Sequence, residues 1–338
     1  MSSDILNVGV IGLGVGEKHF SAYQTHPDCN VKAVCDFDKK VKDKFNVNYP
    51  NISFVDDAND ILCDPSIDVV TIASWDNYHY EQIIKALEHG KHIFVEKPIC
   101  LHEYQAKNIA DLLKEHKSLQ LTSNLILRKS PRFKSLKKMI EVKTLGKIFS
   151  IEGDYNYGRK WKITKGWRGK IDGYSGVYGG GVHIIDLFLW LTGEVVDEVF
   201  SYGNNICLGE AGYNEKDYII SIVKFKNGMN GKFSVNLGCV YPHFHRFSVY
   251  GTKGTFENDF DFAKLYNKHD PSKDYQELDT EYPGVDKGDL IENFISAIKN
   301  GTEPQIGKKP IFDSMSVCFA IEKSLKSGKP EKIDYIKC

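Results

Sequence analysis

The chain has 338 residues, 41% of them hydrophobic and 26% charged, and a formal net charge of -1. One hydrophobic core stops growing at about 250–300 residues, so two domains are expected. The near-zero charge argues against a nucleic-acid partner or an anionic membrane surface, and the longest apolar run falls short of the about 20 residues that cross a bilayer.

The first 124 residues alternate short β-branched runs with amphipathic stretches. Strands are expected at 7–11, 31–35, 52–55, 68–73, 92–96 and 119–123, and helices at 17–24, 39–45, 78–88 and 103–115. Repeated alternation of this kind builds a mostly parallel sheet covered on both faces, an α/β doubly wound Rossmann domain over 1–124. From 125 to 338 the texture changes to a basic helix at 131–142 and longer alternating strands at 148–156, 198–202, 218–225, 231–237 and 245–250. Asn227-Gly228 and Asn230-Gly231 read as hairpin turns. Helices at 289–299 and 313–326 close the chain. This second half is expected to be an α+β domain on a large, open, mixed or antiparallel sheet. Its free face would suit a second copy in a homodimer or homotetramer. The eight cysteines show no CxxC pair, and nothing before Ile5 resembles a signal peptide, so a cytoplasmic protein is expected.

The segment "NVGVIGLGVGEKHF", residues 7–20, sets glycines between an apolar strand and a helix. Glycine lets the backbone approach a pyrophosphate, and the helix N-terminus offers free N–H groups with a partial positive charge. Glu17 stands where the usual third glycine of GxGxxG falls, so the loop reads GxGxG. Gly12, Gly14, Val15 and Gly16 are the candidate cofactor contacts. Asp36, ending the next strand, is placed to accept from an adenosine ribose and to repel a 2'-phosphate, which favours NAD over NADP.

"GKHIFVEKPICLHEYQA", residues 90–106, resembles the glucose-fructose oxidoreductase, inositol dehydrogenase and rhizopine catabolism (Gfo/Idh/MocA) family of NAD(P)-dependent oxidoreductases, whose signature is Glu-Lys-Pro at the end of the fifth Rossmann strand. The resemblance continues in order through "DVVTIASWDNYHYEQ", "NLILRKSPRFKSLKKMI", "LGKIFSIEGDY", "VYGTKGTFEND" and "NFISAIKNGTEP". It implies Lys97 as a catalytic residue, with Glu96, Ser74, Asp76 and His79 beside the cofactor. Pro98, free to take a cis bond, would hold Lys97 where the strand leaves it. A lysine beside a cationic nicotinamide is expected to exchange a proton near neutrality.

"SGVYGGGVHIIDLFLWL", residues 175–191, raises a separate question: three glycines precede an apolar run that carries a histidine and an aspartate. The family often has an Asp four residues before the His; here that position is Gly179. His183 is the second catalytic residue the resemblance implies. In the first turn of a helix its imidazole is expected to be neutral and able to accept an alcohol proton. His183, Asp186 and Trp190 share one stripe, and the glycines are expected to let the backbone, and substrate hydroxyls as well, come close beside it. Asp186, together with Arg159, Trp167 and Arg168 of "YGRKWKITKGWRGK", is a candidate for substrate binding, and Asp172, just before the glycines, is a candidate replacement for the absent acid. His243 and His245 alternate onto one side of a strand but lack an obvious third ligand, so no metal is expected.

The function expected is NAD-dependent hydride transfer at a secondary hydroxyl or ketone of a sugar, with a nucleotide sugar or amino sugar favoured by the absent aspartate. The alternatives are an inositol dehydrogenase, an enzyme that eliminates a glycoside through transient oxidation by retained NAD, and a non-catalytic sugar-binding regulator of the same fold.

Overall fold

The computed structural model describes residues 5–269 and 274–338, and the chain divides into two compact units. The first takes the chain up to Ile126 with 286–312 and 336–338; the second takes 127–285 and 313–335.

In the first unit strands and helices alternate: β1 (Leu6–Ile11), α1 (Gly16–Gln24), β2 (Cys29–Cys35), α2 (Lys39–Asn48), β3 (Ser53–Val55), α3 (Asn59–Leu62), β4 (Val69–Ile72), α4 (His79–Glu88), β5 (His92–Val95), α5 (Glu103–Glu115) and β6 (Leu121–Ser123). All pairings are parallel, in the order β3-β2-β1-β4-β5-β6. The order reverses between β1 and β4, and sheets of this kind bind ligands beyond the carboxyl ends of their strands at such a point. Every residue of β4 is buried, as an apolar strand covered on both faces must be.

The second unit opens with α6 (Pro131–Glu141). Its nine-stranded sheet comprises β7 (Ile148–Asn156), β8 (Val196–Asn204), β9 (Tyr218–Phe225), β10 (Asn230–Asn236), β11 (Phe244–Gly251), β12 (Thr255–Asn258), β13 (Ala263–Tyr266), β14 (Gln276–Leu278) and β15 (Glu331–Lys332). The order is β14-β13-β12-β11-β7-β10-β9-β8-β15, antiparallel except where β10 runs parallel to β7. Helices α7 (Lys160–Thr164) and α8 (Val182–Thr192) lie between β7 and β8 in the chain. On one sheet face Ile151, Phe233, Val235, Phe247 and Val249 are buried. There α8 packs so closely that a Cβ on Gly153 would come within 3.0 Å of Phe188. On the other face Tyr202 and Ile222 are 65% and 55% exposed, so within its own unit that face is open.

Two expectations need correction. Helix α9 (Ile291–Asn300), expected with the C-terminal half, belongs to the first unit, because it buries Ile291, Phe294 and Ile295 and sets the Phe294 ring 5.8 Å from Phe94 of β5. The following α10 (Lys308–Ser327) counts with the second unit from Asp313 onward. Asn227-Gly228 does turn the chain between β9 and β10, with Gly228 at φ +88°. Asn230-Gly231 lies inside β10 instead. A Cβ on Gly231 would sit 3.1 Å from the Ile151 carbonyl oxygen, so that glycine serves strand contact rather than a turn.

Candidate active site

The nucleotide loop is shaped by what passes beside it. Gly12 leaves β1 at φ +84°, and a Cβ there would meet the Ala73 carbonyl oxygen at 2.5 Å, so only glycine clears the exit of β4. At the tip, Gly14 is exposed, and a Cβ on it would find nothing within 4 Å. Helix α1 begins at Gly16 behind Val15, and no side chain caps its first turn. The N–H groups of that turn therefore remain available to an anion. Asp36, just past β2, accepts the Leu13 N–H at 2.7 Å and the Asp38 N–H at 2.9 Å. An open glycine tip, an uncapped helix end and an acid one strand away fit a dinucleotide.

At the exit of β5, Glu96 and Lys97 have opposite surroundings. Lys97 is half-buried and its bond to Pro98 is cis. Glu96 is buried, and its Oε1 accepts from Asn124 Nδ2 at 2.7 Å and lies 3.4 Å from His19 Nε2. Its Oε2 accepts the Lys97 N–H at 3.3 Å. Asn124 Nδ2 also reaches the Lys287 carbonyl, at 3.1 Å. Burial opposes the charge, but the Lys287 ammonium and His19 outweigh it and hold the carboxyl well below its usual range. Glu96 was expected at the cofactor; the structure spends its carboxylate within the protein, on a network that fixes the backbone of Lys97.

His79 is corrected in the same way. It is fully buried, with Nδ1 2.6 Å from the Pro98 carbonyl and Nε2 3.1 Å from the Ser74 carbonyl. It ties the turn after β4 to the turn after β5 and is not presented to a ligand. Ser74 donates to Gln82 at 2.7 Å, Asp76 is 5% exposed, and Trp75 packs edge-on against Phe37.

In the second unit the glycine run answers its own question. Residues Val177–Gly181 form a π-helical turn that continues directly into α8, and Ser175 Oγ accepts the Val177 N–H at 3.0 Å. The helical run thus starts well before His183. That residue lies past its first turn, where the macrodipole has fallen off, so the dipole argument for a neutral imidazole weakens. The space beside the glycines is filled by the protein itself. A Cβ on Gly181 would meet the Phe233 ring at 2.6 Å and Val235 at 2.8 Å. One on Gly180 would overlap the Tyr155 ring, and one on Gly179 the Tyr174 phenol. The expectation that these glycines admit substrate hydroxyls is corrected accordingly: they let a helix settle on β7 and β10.

Asp186 is a further correction. It is 1% exposed, and Arg128 grips it bidentately, Nε to Oδ2 at 2.9 Å and Nη2 to Oδ1 at 2.6 Å, with Ser314 donating at 3.4 Å. Burial pushes this carboxyl up and Arg128 works against that rise. The guanidinium also lies 5.7 Å from the Trp190 ring. Asp186 anchors α8 rather than facing substrate. Arg128 was missed, although it stands in the quoted run that follows the last Rossmann strand and is one of only five arginines.

His183 is 7% exposed, and its ring stands edge-on 6.2 Å from that of His245. His245 Nδ1 lies 2.6 Å from the Tyr282 hydroxyl, and the rings of His243 and His245 are 5.1 Å apart. Among the described residues no group of three or more His, Cys, Asp or Glu could hold a metal. Arg159 is exposed, Arg168 stacks 4.4 Å over Trp167, and Asp172 is exposed on a turn.

Residues 6–124 match the oxidoreductase family with NAD-binding Rossmann fold, and residues 133–257 match the GFO/IDH/MocA C-terminal domain. The chain is 26% identical to myo-inositol 2-dehydrogenase of Thermotoga maritima over 98% of this chain and 99% of that protein. It is 24% identical to scyllo-inositol 2-dehydrogenase (NAD(+)) of Bacillus subtilis over 82% and 81%. In fold it resembles levoglucosan dehydrogenase solved with NADH and levoglucosan, with a TM-score of 0.84 at 22% identity, covering 98% of this chain and 99% of that one. No described helix is long and apolar enough to cross a membrane.

Proposed function

We propose that this protein, which belongs to the Gfo/Idh/MocA family of NAD-dependent oxidoreductases, oxidises a secondary ring hydroxyl of a cyclitol or unmodified sugar and reduces the matching ketone in reverse. The observation that carries the reading is a half-buried lysine leaving a parallel strand, anchored through Glu96, in a unit whose glycine loop is open to an anion. Bound NAD supplies the hydride acceptor. The first turn of α1 takes its pyrophosphate and Asp36 its adenosine ribose. Lys97 and His183 are the groups assigned to the proton of the reacting hydroxyl. A nucleotide or amino sugar was favoured because the family's aspartate is absent at Gly179 and branches of the family acting on such substrates are less strict there. The relatives named above are inositol and levoglucosan dehydrogenases, so cyclitols and unmodified sugars come first.

The test is NADH formation from NAD with myo-inositol, scyllo-inositol, levoglucosan and a UDP-sugar. Turnover of a polyol is expected, and flat traces throughout would remove the reading. Lys97→Met and His183→Asn should each cut kcat/KM by about 10²–10⁴-fold, the double variant no further, because groups serving one proton are not additive. NAD affinity should stay near that of the parent.

A second copy is proposed to cover the open sheet face around Tyr202 and Ile222. Ile222→Glu should then sediment as a smaller species, and an unchanged sedimentation coefficient would reject that assembly. Eight unbridged cysteines suit the cytoplasmic location expected from the sequence.

A further inference from the structure

The sheet face turned away from α8 carries a polar cleft that the chemistry assigned above does not use. Gly153 of β7 packs under α8, so its neighbour Asp154, with Asn156 two residues on, projects from the opposite face. Register extends this into two rows across the sheet: Arg246, Asp154 and Ser234 on β11, β7 and β10, and Asn156, Asn236 and Tyr218 on β7, β10 and β9. Both rows line a cleft of about 410 Å³, within the roughly 300–1,000 Å³ of small-molecule sites. Residues 239–241 form one wall. That wall is fixed, because the Tyr241 carbonyl passes so close to Gly158, at φ +57°, that a Cβ there would overlap it.

Part of the lining is already committed. Asp154 and Ser234 are 8% and 4% exposed, and the serine hydroxyl donates to the carboxylate at 2.7 Å. Lys232 lies 3.2 Å from Asp154 and 3.5 Å from Glu152, so its charge is countered. Four groups are left over. Among the described residues no hydrogen bond or ion pair engages the side chain of Arg246, Asn156, Asn236 or Tyr218.

We propose that this cleft binds a small polyhydroxy carboxylate, at a site separate from that of hydride transfer. Arg246 takes the carboxylate, its planar fork matching two oxygens. Asn156, Asn236 and Tyr218 take hydroxyls, since a carboxamide and a phenol each donate and accept. One uncountered cation beside two carboxylates suits a single negative charge, and a phosphate monoester would bring a second toward Asp154 and Glu152. Tyr202 and Ile222, assigned above to a second copy, belong to the apolar part of the same face on β8 and β9.

The experiment is calorimetric titration of the NAD-loaded full chain with D-gluconate and, separately, with D-glucose 6-phosphate. Saturable binding of gluconate is expected, tighter than that of the phosphate. Arg246 is exposed, so Arg246→Met should keep the parent's melting temperature, sedimentation and dehydrogenase activity while weakening gluconate at least about tenfold. Tyr218→Phe should weaken it about three- to tenfold, and Lys97→Met should bind it as the parent does. Absence of saturable binding, or equal binding by Arg246→Met, overturns the inference. Loss of gluconate binding in Lys97→Met places the acid in the active site and overturns it as well. Tighter, Arg246-dependent binding of the phosphate ester overturns the ligand class. A smaller sedimenting species for Arg246→Met gives the cleft to a second copy instead. Each of these failures leaves the proposed dehydrogenase activity standing.

Discussion

The strand tips of the first unit and the glycine-led helix of the second each bury a carboxylate close to a residue assigned to the chemistry, but they do so by opposite means. Glu96 is held by a diffuse set of partners, with Asn124, His19 and the Lys287 ammonium around it and the neighbouring Lys97 N–H on its other oxygen. Asp186 depends on a single cation, Arg128, which takes both its oxygens, with Ser314 adding one long hydrogen bond. The first carboxyl ends well below its ordinary range and the second is raised. Burial therefore does not set the sign of such a shift by itself; the number and charge of the partners do.

That contrast is broken most severely at Arg128. Arg128→Met leaves Asp186 buried without its counter-charge, which costs about 3–5 kcal/mol, read as a lower urea midpoint. Replacing both partners by apolar residues, Arg128→Met/Asp186→Leu, should recover most of that loss, because the pair's attraction only offsets its own desolvation. If the single substitution costs less than about 1 kcal/mol, the pair does not hold α8 as inferred.

The same contrast explains what the sequence disclosed. In a doubly wound sheet the strand order brings loop after loop to one edge, so a glycine turn, Asp36 and Glu-Lys-Pro can be assigned from their position relative to a strand. That six strands pair in parallel follows from local alternation. What stayed hidden there was the depth of burial: nothing local distinguishes a cofactor-facing His79 from one sealed between two backbone carbonyls. In the second unit the partners come from far along the chain. Arg128 lies 58 residues before Asp186, and Tyr282 lies 37 after His245. The glycines signalled a close approach but not what approached. The short strands β12, β13 and β14 escaped notice because runs of three or four residues carry too little alternation.

The smallest effects compare two glutamates, buried Glu96 of the first unit and half-buried Glu322 of the second, whose pH dependences should have opposite signs. Glu96 is depressed below 4.5, so the folded state holds fewer protons than the unfolded chain as pH falls past that value. Its contribution is present above about pH 4.5 and is lost in acid. Glu322 accepts from Ser175 at the start of the glycine run, and burial raises its carboxyl despite Ser175 and Lys326, with Glu215 adding to the rise. There the folded state holds the extra proton, so its contribution is present below the unfolded value and is lost as pH rises through the folded one. Glu96→Gln should be less stable than the parent by about 1–3 kcal/mol at pH 7, with the difference closing in acid. Glu322→Gln keeps an oxygen for Ser175 and needs no ionisation, so it should match the parent in acid and exceed it in stability at pH 8. Melting temperatures of the three proteins between pH 4 and pH 8 provide the check, and parallel curves for the two variants would remove the distinction between the units.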